Sequence, residues 1–179
     1  MPTTLAPAVL SRELRKETSP DLTRRRWAIG LSFAGSAIGM IVAAYQTGLL
    51  KRLPDILPGR VFDAEKVDAS DYAYRRLQAP DGTLMAVTYG VTAALAAAGG
   101  KDRALDNPAL PLAAAGKALY DLVTCVRLAR EEWQENQALC SWCQVATGIT
   151  ALTAALTLPE AGRAGLSMWA RTKDATTQR

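Results

Sequence analysis

Charge is absent from long stretches of this chain and crowded into the segments between them. Trp27 to Leu50 is a 24-residue run without a formal charge. At 1.5 Å per residue, a helix of that length crosses about 30 Å of hydrocarbon. Gly35, Gly39 and Ala43 recur along it at every fourth residue, a row on which a second helix can approach closely. Thr83–Gly100 is a second uncharged run, rich in small residues and short for a span unless it packs between others. Pro108–Leu128 is largely apolar but carries Lys117 and Asp121, which lie four apart and so share one helical face, and Arg127 at its end. Leu139–Leu158 is a fourth apolar run. A buried helix of a soluble bundle is the alternative for the first run, but such helices rarely lack a polar face. The pattern predicts an all-α integral membrane protein, a bundle of four transmembrane helices at about 27–50, 83–100, 108–128 and 139–158.

The polar segments punctuate this bundle. Residues 1–26 read as a charged arm in which Ser19-Pro20-Asp21 carries a capping serine, a first-turn proline and an acid placed against the helix dipole. Residues 51–82 form a long loop broken by Pro54, Pro58 and Pro80, with charges of both signs from Phe62 to Tyr72. A short helix from about Ser70 to Leu77, capped by Ser70, is expected there. The loop's apolar residues (Phe62, Val67, Tyr72, Tyr74, Leu77) predict that it packs down on the bundle. Gly99–Asn107 reads as a tight link and Arg127–Gln137 as a helical extension into water. Residues 159–179 read as a polar tail in which Leu166, Met168 and Trp169 touch the membrane surface.

Composition adds constraints. A length of 179 residues suggests one domain. Hydrophobic residues make up 49% of the chain, yet the mean hydropathy is only +0.02, because apolar and charged stretches cancel. A net charge of +4 without arginine–aromatic interleaving gives no reason to expect nucleic acid as a partner. Histidine is absent, which removes the usual general base, the Ser-His and Cys-His nucleophile pairs and the commonest metal ligand. The polar start and the length of the first apolar run predict no cleavable signal peptide. Of the 21 Lys and Arg residues, twelve fall in the termini and the 99–107 link, and eight fall in the two other loops. The positive-inside rule then places both termini in the cytoplasm and the 51–82 loop outside.

The chemistry centres on Cys140-Ser141-Trp142-Cys143. Two intervening residues is a spacing suited to a reversible disulfide, and a helix start favours the reactive thiolate. Trp142 is an amphipathic ring of the kind found at membrane interfaces. A closed zinc site wants four ligands, and three cysteines without histidine fall short, so no metal is expected. A thioredoxin-type site needs a strand and a βαβ context that this chain lacks. A structural disulfide across two residues is geometrically tight. Two thiols without a role remain the plain alternative. Lys117 and Asp121 read either as an ion pair locking two helices or as part of a proton path.

Four helices, a long outer loop between the first two, and Cys-x-x-Cys at the outer start of the fourth resemble the vitamin K epoxide reductase family over roughly residues 27–158. The stretch Lys66-Val67-Asp68-Ala69-Ser70-Asp71-Tyr72-Ala73, followed by Pro80 and Tyr89, is similar to that family's loop. The resemblance implies a bacterial inner-membrane protein that exchanges electrons between a thiol partner and a quinone of the ubiquinone or menaquinone type. Carried over, Cys140 is the exchanging thiol and Cys143 the quinone-facing one. Ser70, Tyr89, Trp142 and Thr147 become quinone-pocket residues, with Cys125, Lys117 and Asp121 as accessory candidates. The departure is that residues 51–82 contain no cysteine, whereas family members carry a relay pair there. Electrons must then come from an external thioredoxin-like thiol protein. Otherwise, the fold serves as a non-catalytic scaffold in a larger membrane complex.

Overall fold

The computed structural model describes residues 6–177, with side chains described as far as Lys173. The first five residues of the arm, and Arg179 among the twelve cations counted above, lie outside the described residues. The chain is helical throughout: α1 (Pro7–Lys16), α2 (Pro20–Gln46), α3 (Ala64–Asp68), a 3-10 turn (Asp71–Tyr74), α4 (Asp81–Ala97), α5 (Arg103–Asp106), α6 (Ala109–Asn136) and α7 (Ser141–Thr177). No strand forms among the described residues; a lone parallel bridge joins Phe62 to Leu139. By length and composition, α2 and α6 are each long and apolar enough to cross a membrane. At 17 residues, α4 reaches only about 25 Å at 1.5 Å per residue.

Local chemistry explains the starts. Ser19 Oγ accepts a hydrogen bond from Leu22 N at 3.1 Å, Pro20 stands at the first position and Asp21 faces the positive end of the dipole. So α2 begins at Pro20, seven residues before the uncharged run, and Arg24, Arg25 and Arg26 belong to its first turns. It ends at Gln46 rather than Leu50.

The row of small residues on α2 meets α4 at close quarters. A Cβ added at Gly39 would lie 2.7 Å from Ala86 N, and one at Gly82 would lie 2.4 Å from Ala43 N. At Gly35 it would meet the ring of Tyr89 at 2.4 Å. Only glycine lets these backbones approach so near.

The C-terminus of α4 is capped by two buried arginines. Arg25 donates to the carbonyls of Ala96, Ala97, Ala98, Gly99 and Gly100 at 2.8–3.2 Å. Arg103 donates to Leu95 O at 2.8 Å and Ala98 O at 2.6 Å, and pairs with Glu160. These carbonyls have no partner within their own helix, so cations here serve both hydrogen bonding and the dipole.

The polar tail continues the last helix, because α7 runs through Pro159 to Thr177. Burial of Glu160, Ala161 and Ala164 and the Arg103–Glu160 pair hold the helix together past the one hydrogen bond that proline removes. Leu166, Met168 and Trp169 are exposed on this extension. One expectation is corrected: no helix spans Ser70–Leu77. Asp63 caps α3 instead, accepting from Lys66 N at 3.0 Å. Ser70 stands before the 3-10 turn without capping it, and its hydroxyl donates to Val67 O at 2.6 Å.

Candidate active site

The loop after α2 folds over the start of α7. Leu139 N donates to Val61 O at 2.9 Å and Asp63 N to Leu139 O at 3.0 Å. Ile56 N donates to Ser141 Oγ at 3.0 Å, Ser141 N to Asp55 Oδ1 at 3.4 Å, and Trp142 Nε1 to Pro54 O at 3.0 Å. Val42, Leu53, Ala64, Val67, Ala138 and Cys140 form one apolar cluster beneath this cover. Cys140 is 0% exposed, whereas Cys143, one turn further in, is half-buried. In this closed arrangement the loop shields Cys140, and Cys143 is the less buried of the two.

All three cysteines are free thiols. Cys143 N donates to Cys140 Sγ at 3.3 Å, the one-turn geometry that lets a Cys-x-x-Cys pair close and open. Cys140 N donates to Glu132 Oε2 at 3.2 Å, and Gln144 Nε2 reaches the same oxygen at 3.4 Å. The cysteine backbone is thus held by a buried acid of α6.

Asp68 was not singled out by sequence reasoning. It ends α3, is 3% exposed, and lies with both Cys140 and Cys143 in a group whose carboxylate oxygen and two sulfurs are within 4.8 Å of one another. Three donors are one fewer than a closed zinc site uses. Gln46 orients the acid: its Nε2 donates to Asp68 Oδ1 at 3.5 Å while its Oε1 accepts from Gly82 N at 3.0 Å. Asp68 Oδ2 has no well-directed hydrogen-bond partner among the described residues, and the Cys140 thiol is the donor that approaches the carboxyl. Burial raises the Asp68 pKa to about 6, opposed by that thiol and reinforced by the charges of Asp81 and Asp55. Burial likewise lifts Asp81 to about 6, against the pull of Arg76. The signal for Asp68 was present in Ala64, Val67 and Asp68, an i, i+3, i+4 face that turns inward and ends in an acid.

Cys143 opens on a cavity of about 80 Å³ whose lining includes Val42, Asp68, Tyr72, Asp81, Met85, Cys125, Leu128, Glu132, Gln144, Ala146 and Thr147. A second cavity, of about 300 Å³, shares Asp81, Met85, Cys125 and Leu128 with it and extends along α4 and α6 past Thr88, Tyr89, Tyr120, Asp121, Thr124 and Thr150. Both walls are mainly apolar, with a few polar groups among them.

The other sequence candidates fall as follows. Thr147 lines the first cavity, and its hydroxyl donates to Cys143 O at 2.9 Å. Tyr89 lines the second; its hydroxyl is engaged with Ala146 O at 2.6 Å and Thr150 Oγ1 at 2.8 Å. Cys125 lines both and approaches Thr150 Oγ1 at 3.8 Å. Asp121 lines the second cavity and pairs with Lys117, which donates to Thr88 O at 2.9 Å and Thr92 Oγ1 at 2.7 Å. This ties α6 to α4, as a helix-locking ion pair does. Ser70 and Trp142 line neither cavity; Trp142 belongs to the loop cover.

No curated protein and no solved structure matches the chain. The sequence model described as the vitamin K epoxide reductase family, an integral membrane family of oxidoreductases, matches residues 26–158, from the first turns of α2 to the middle of α7. The match covers the cysteine pair, the loop and the cavity together, and the chain belongs to the vitamin K epoxide reductase family.

Proposed function

We propose that this protein is a membrane thiol–disulfide oxidoreductase that exchanges electrons between the Cys140–Cys143 pair and a quinone, with an external thiol protein as the other partner. The observation that carries this reading is an oxidisable thiol pair whose second sulfur faces an apolar-walled cavity while the first packs beneath the loop. A bound quinone, of the ubiquinone or menaquinone type, supplies a two-electron acceptor, or in reduced form a donor. Val42, Met85 and Leu128 would flank its ring, and Gln144 and Thr147 supply polar atoms in the same wall. The thiol pair closes to a disulfide as two electrons leave it and reopens when the outside dithiol exchanges with it.

A four-span arrangement accounts for the outward faces. Trp27, Phe33 and Met40 on α2, Val87 and Val91 on α4, Tyr120, Val123 and Val126 on α6, and Leu152 and Leu158 on α7 are all exposed and apolar. Such a surface suits lipid better than water. In this reading the termini are cytoplasmic, the loop lies on the outer face of a bacterial inner membrane, and the loop cover lifts to admit a protein to Cys140. The competing reading, a scaffold subunit of a larger membrane complex, draws on the cysteine-free loop and the full burial of Cys140.

Single-turnover oxidation separates the two readings. The purified, reduced protein in detergent is mixed with coenzyme Q1 or menadione while quinone absorbance and free thiols are followed. The redox reading expects two thiols lost per quinone reduced, and the loss absent from Cys143→Ala. Thiol content unchanged over hours in both quinones assigns the protein to the scaffold class.

A further inference from the structure

Closing a disulfide releases two thiol protons, and this site is buried and contains no histidine to receive them. The geometry points to Asp68 as the residue that takes the proton from Cys140 as its sulfur bonds to Cys143, and that returns the proton when the pair is reduced. This assignment rests on the redox reading of the pair given above.

Three observations support it. Asp68 lies in one group with both sulfurs, within 4.8 Å. One of its oxygens is buried without a well-directed partner, while Gln46 holds the other, so the free lone pairs are on the side chain that approaches the thiol. Asp68 also lines the cavity that Cys143 opens on, so a proton taken from Cys140 can be handed to a molecule bound there. A general base must stand within reach of the proton it moves, and a carboxyl near neutrality is suited to both directions of transfer. The pKa of about 6 meets that condition.

In the oxidising direction, two S–H bonds break and one S–S bond forms between Cys140 and Cys143. Two electrons pass to the quinone, and its two oxygens gain the two protons. Asp68 accepts one of these from Cys140 and gives it up to the cavity, ending as it began. The second comes from Cys143, which faces the cavity directly. Other titratable groups around Asp68 are Asp55 of the loop, Tyr45 of α2, Asp81 at the start of α4, Glu132 of α6, and the thiols of Cys140 and Cys143. A pH profile by itself therefore does not identify Asp68, and variants are required.

The test follows Cys140–Cys143 closure in stopped flow between pH 5 and 8 in detergent, with coenzyme Q1 and, separately, with the quinone-free oxidant diamide. In the wild type the rate rises as pH passes about 6 with both oxidants. Asp68→Asn is expected to close about 100-fold more slowly at pH 7 with both and to lose that rise, and Asp68→Glu to recover most of the loss. If Asp68→Asn fails to fold, Gln46→Met replaces it and is expected to slow closure and displace the rise. Wild-type rates and profile in Asp68→Asn, or in Gln46→Met where it stands in, overturn the assignment. A wild type that closes with diamide and ignores coenzyme Q1 overturns the quinone reading alone, and the diamide arm then decides for Asp68. Closure with neither oxidant ends both.

Discussion

Arg103 and Glu160 meet in a two-pronged ion pair, Nε to Oε1 at 2.8 Å and Nη2 to Oε2 at 2.7 Å, with side chains 1% and 4% exposed. The arginine also caps the last carbonyls of α4. One contact thus joins the link before α6, the end of α4 and the middle of α7. Removing a single partner leaves an uncompensated buried charge. Glu160→Ala is expected to cost about 3–5 kcal/mol, and Arg103→Met with Glu160→Leu to regain part of it. Thermal unfolding in detergent reads both, and an unchanged midpoint for Glu160→Ala would show the pair to be dispensable.

The helix approach makes a second prediction with an internal control. Gly39→Ala and Gly82→Ala press a methyl against backbone atoms and are expected to destabilise by about 1–3 kcal/mol each. Gly30 has nothing within 4 Å of an added Cβ. Gly30→Ala is expected to be neutral or to stabilise by up to about 1 kcal/mol, through the lower entropy of the unfolded chain. Equal effects at the three positions would contradict close packing of α2 on α4.

These contacts show what the sequence makes visible and what it hides. Ser19-Pro20-Asp21 and the Gly35–Gly39–Ala43 row are local signals, and each does in the fold what its chemistry suggests. Gly82, the partner of Gly39, carries no mark of its own, because a helix–helix contact is a property of two segments. The apolar run ends at Leu158, but the helix does not: the buried pair of Glu160 with a residue 57 positions earlier carries it past Pro159. The Cys-x-x-Cys pair was legible because its spacing is itself the chemistry. Asp68 looked like one acid among several in a charged loop, until the fold brought it against both sulfurs.

The loop cover makes the third prediction. Asp55 and the Trp142 indole fasten the loop across the start of α7. Asp55→Ala and Trp142→Phe each delete one of these bonds while leaving the thiols in place. Maleimide labelling at Cys140 is expected to accelerate at least about tenfold in the double variant, following the larger open population, with Cys143 little changed. Labelling of Cys140 at wild-type speed would mean that the cover does not control access.

Asp68 opposes stability where it serves the proposed chemistry. Its folded pKa of about 6 lies above the ordinary 3.8. Between these values the folded protein retains a proton that the unfolded chain has released. The associated stability is complete below about pH 4, declines as pH rises to 6, and stays lost above. Asp68→Asn keeps the shape without the charge. It is expected to be more stable than wild type at pH 8, by at most about 3 kcal/mol, and nearly equal at pH 4. Unfolding midpoints at the two pH values measure this, and a variant less stable at pH 8 would mean that the buried charge is compensated.

The two cysteines are predicted to fail differently. Mixed-disulfide exchange needs an attacking thiol and a resolving one, so a variant without the resolver stalls with its partner attached. Cys143 faces the cavity, away from the loop, and Cys140 lies just under the loop, next to the surface a protein would meet once the cover lifts. Cys143→Ala should therefore accumulate a covalent complex through Cys140, visible on non-reducing gels and lost on adding reductant. Opening the cover with Asp55→Ala should increase its yield. Cys140→Ala should trap nothing, because the remaining thiol sits deeper. The opposite pattern, a complex only in Cys140→Ala, would exchange the two roles and place the partner's approach on the cavity side, between α4 and α6.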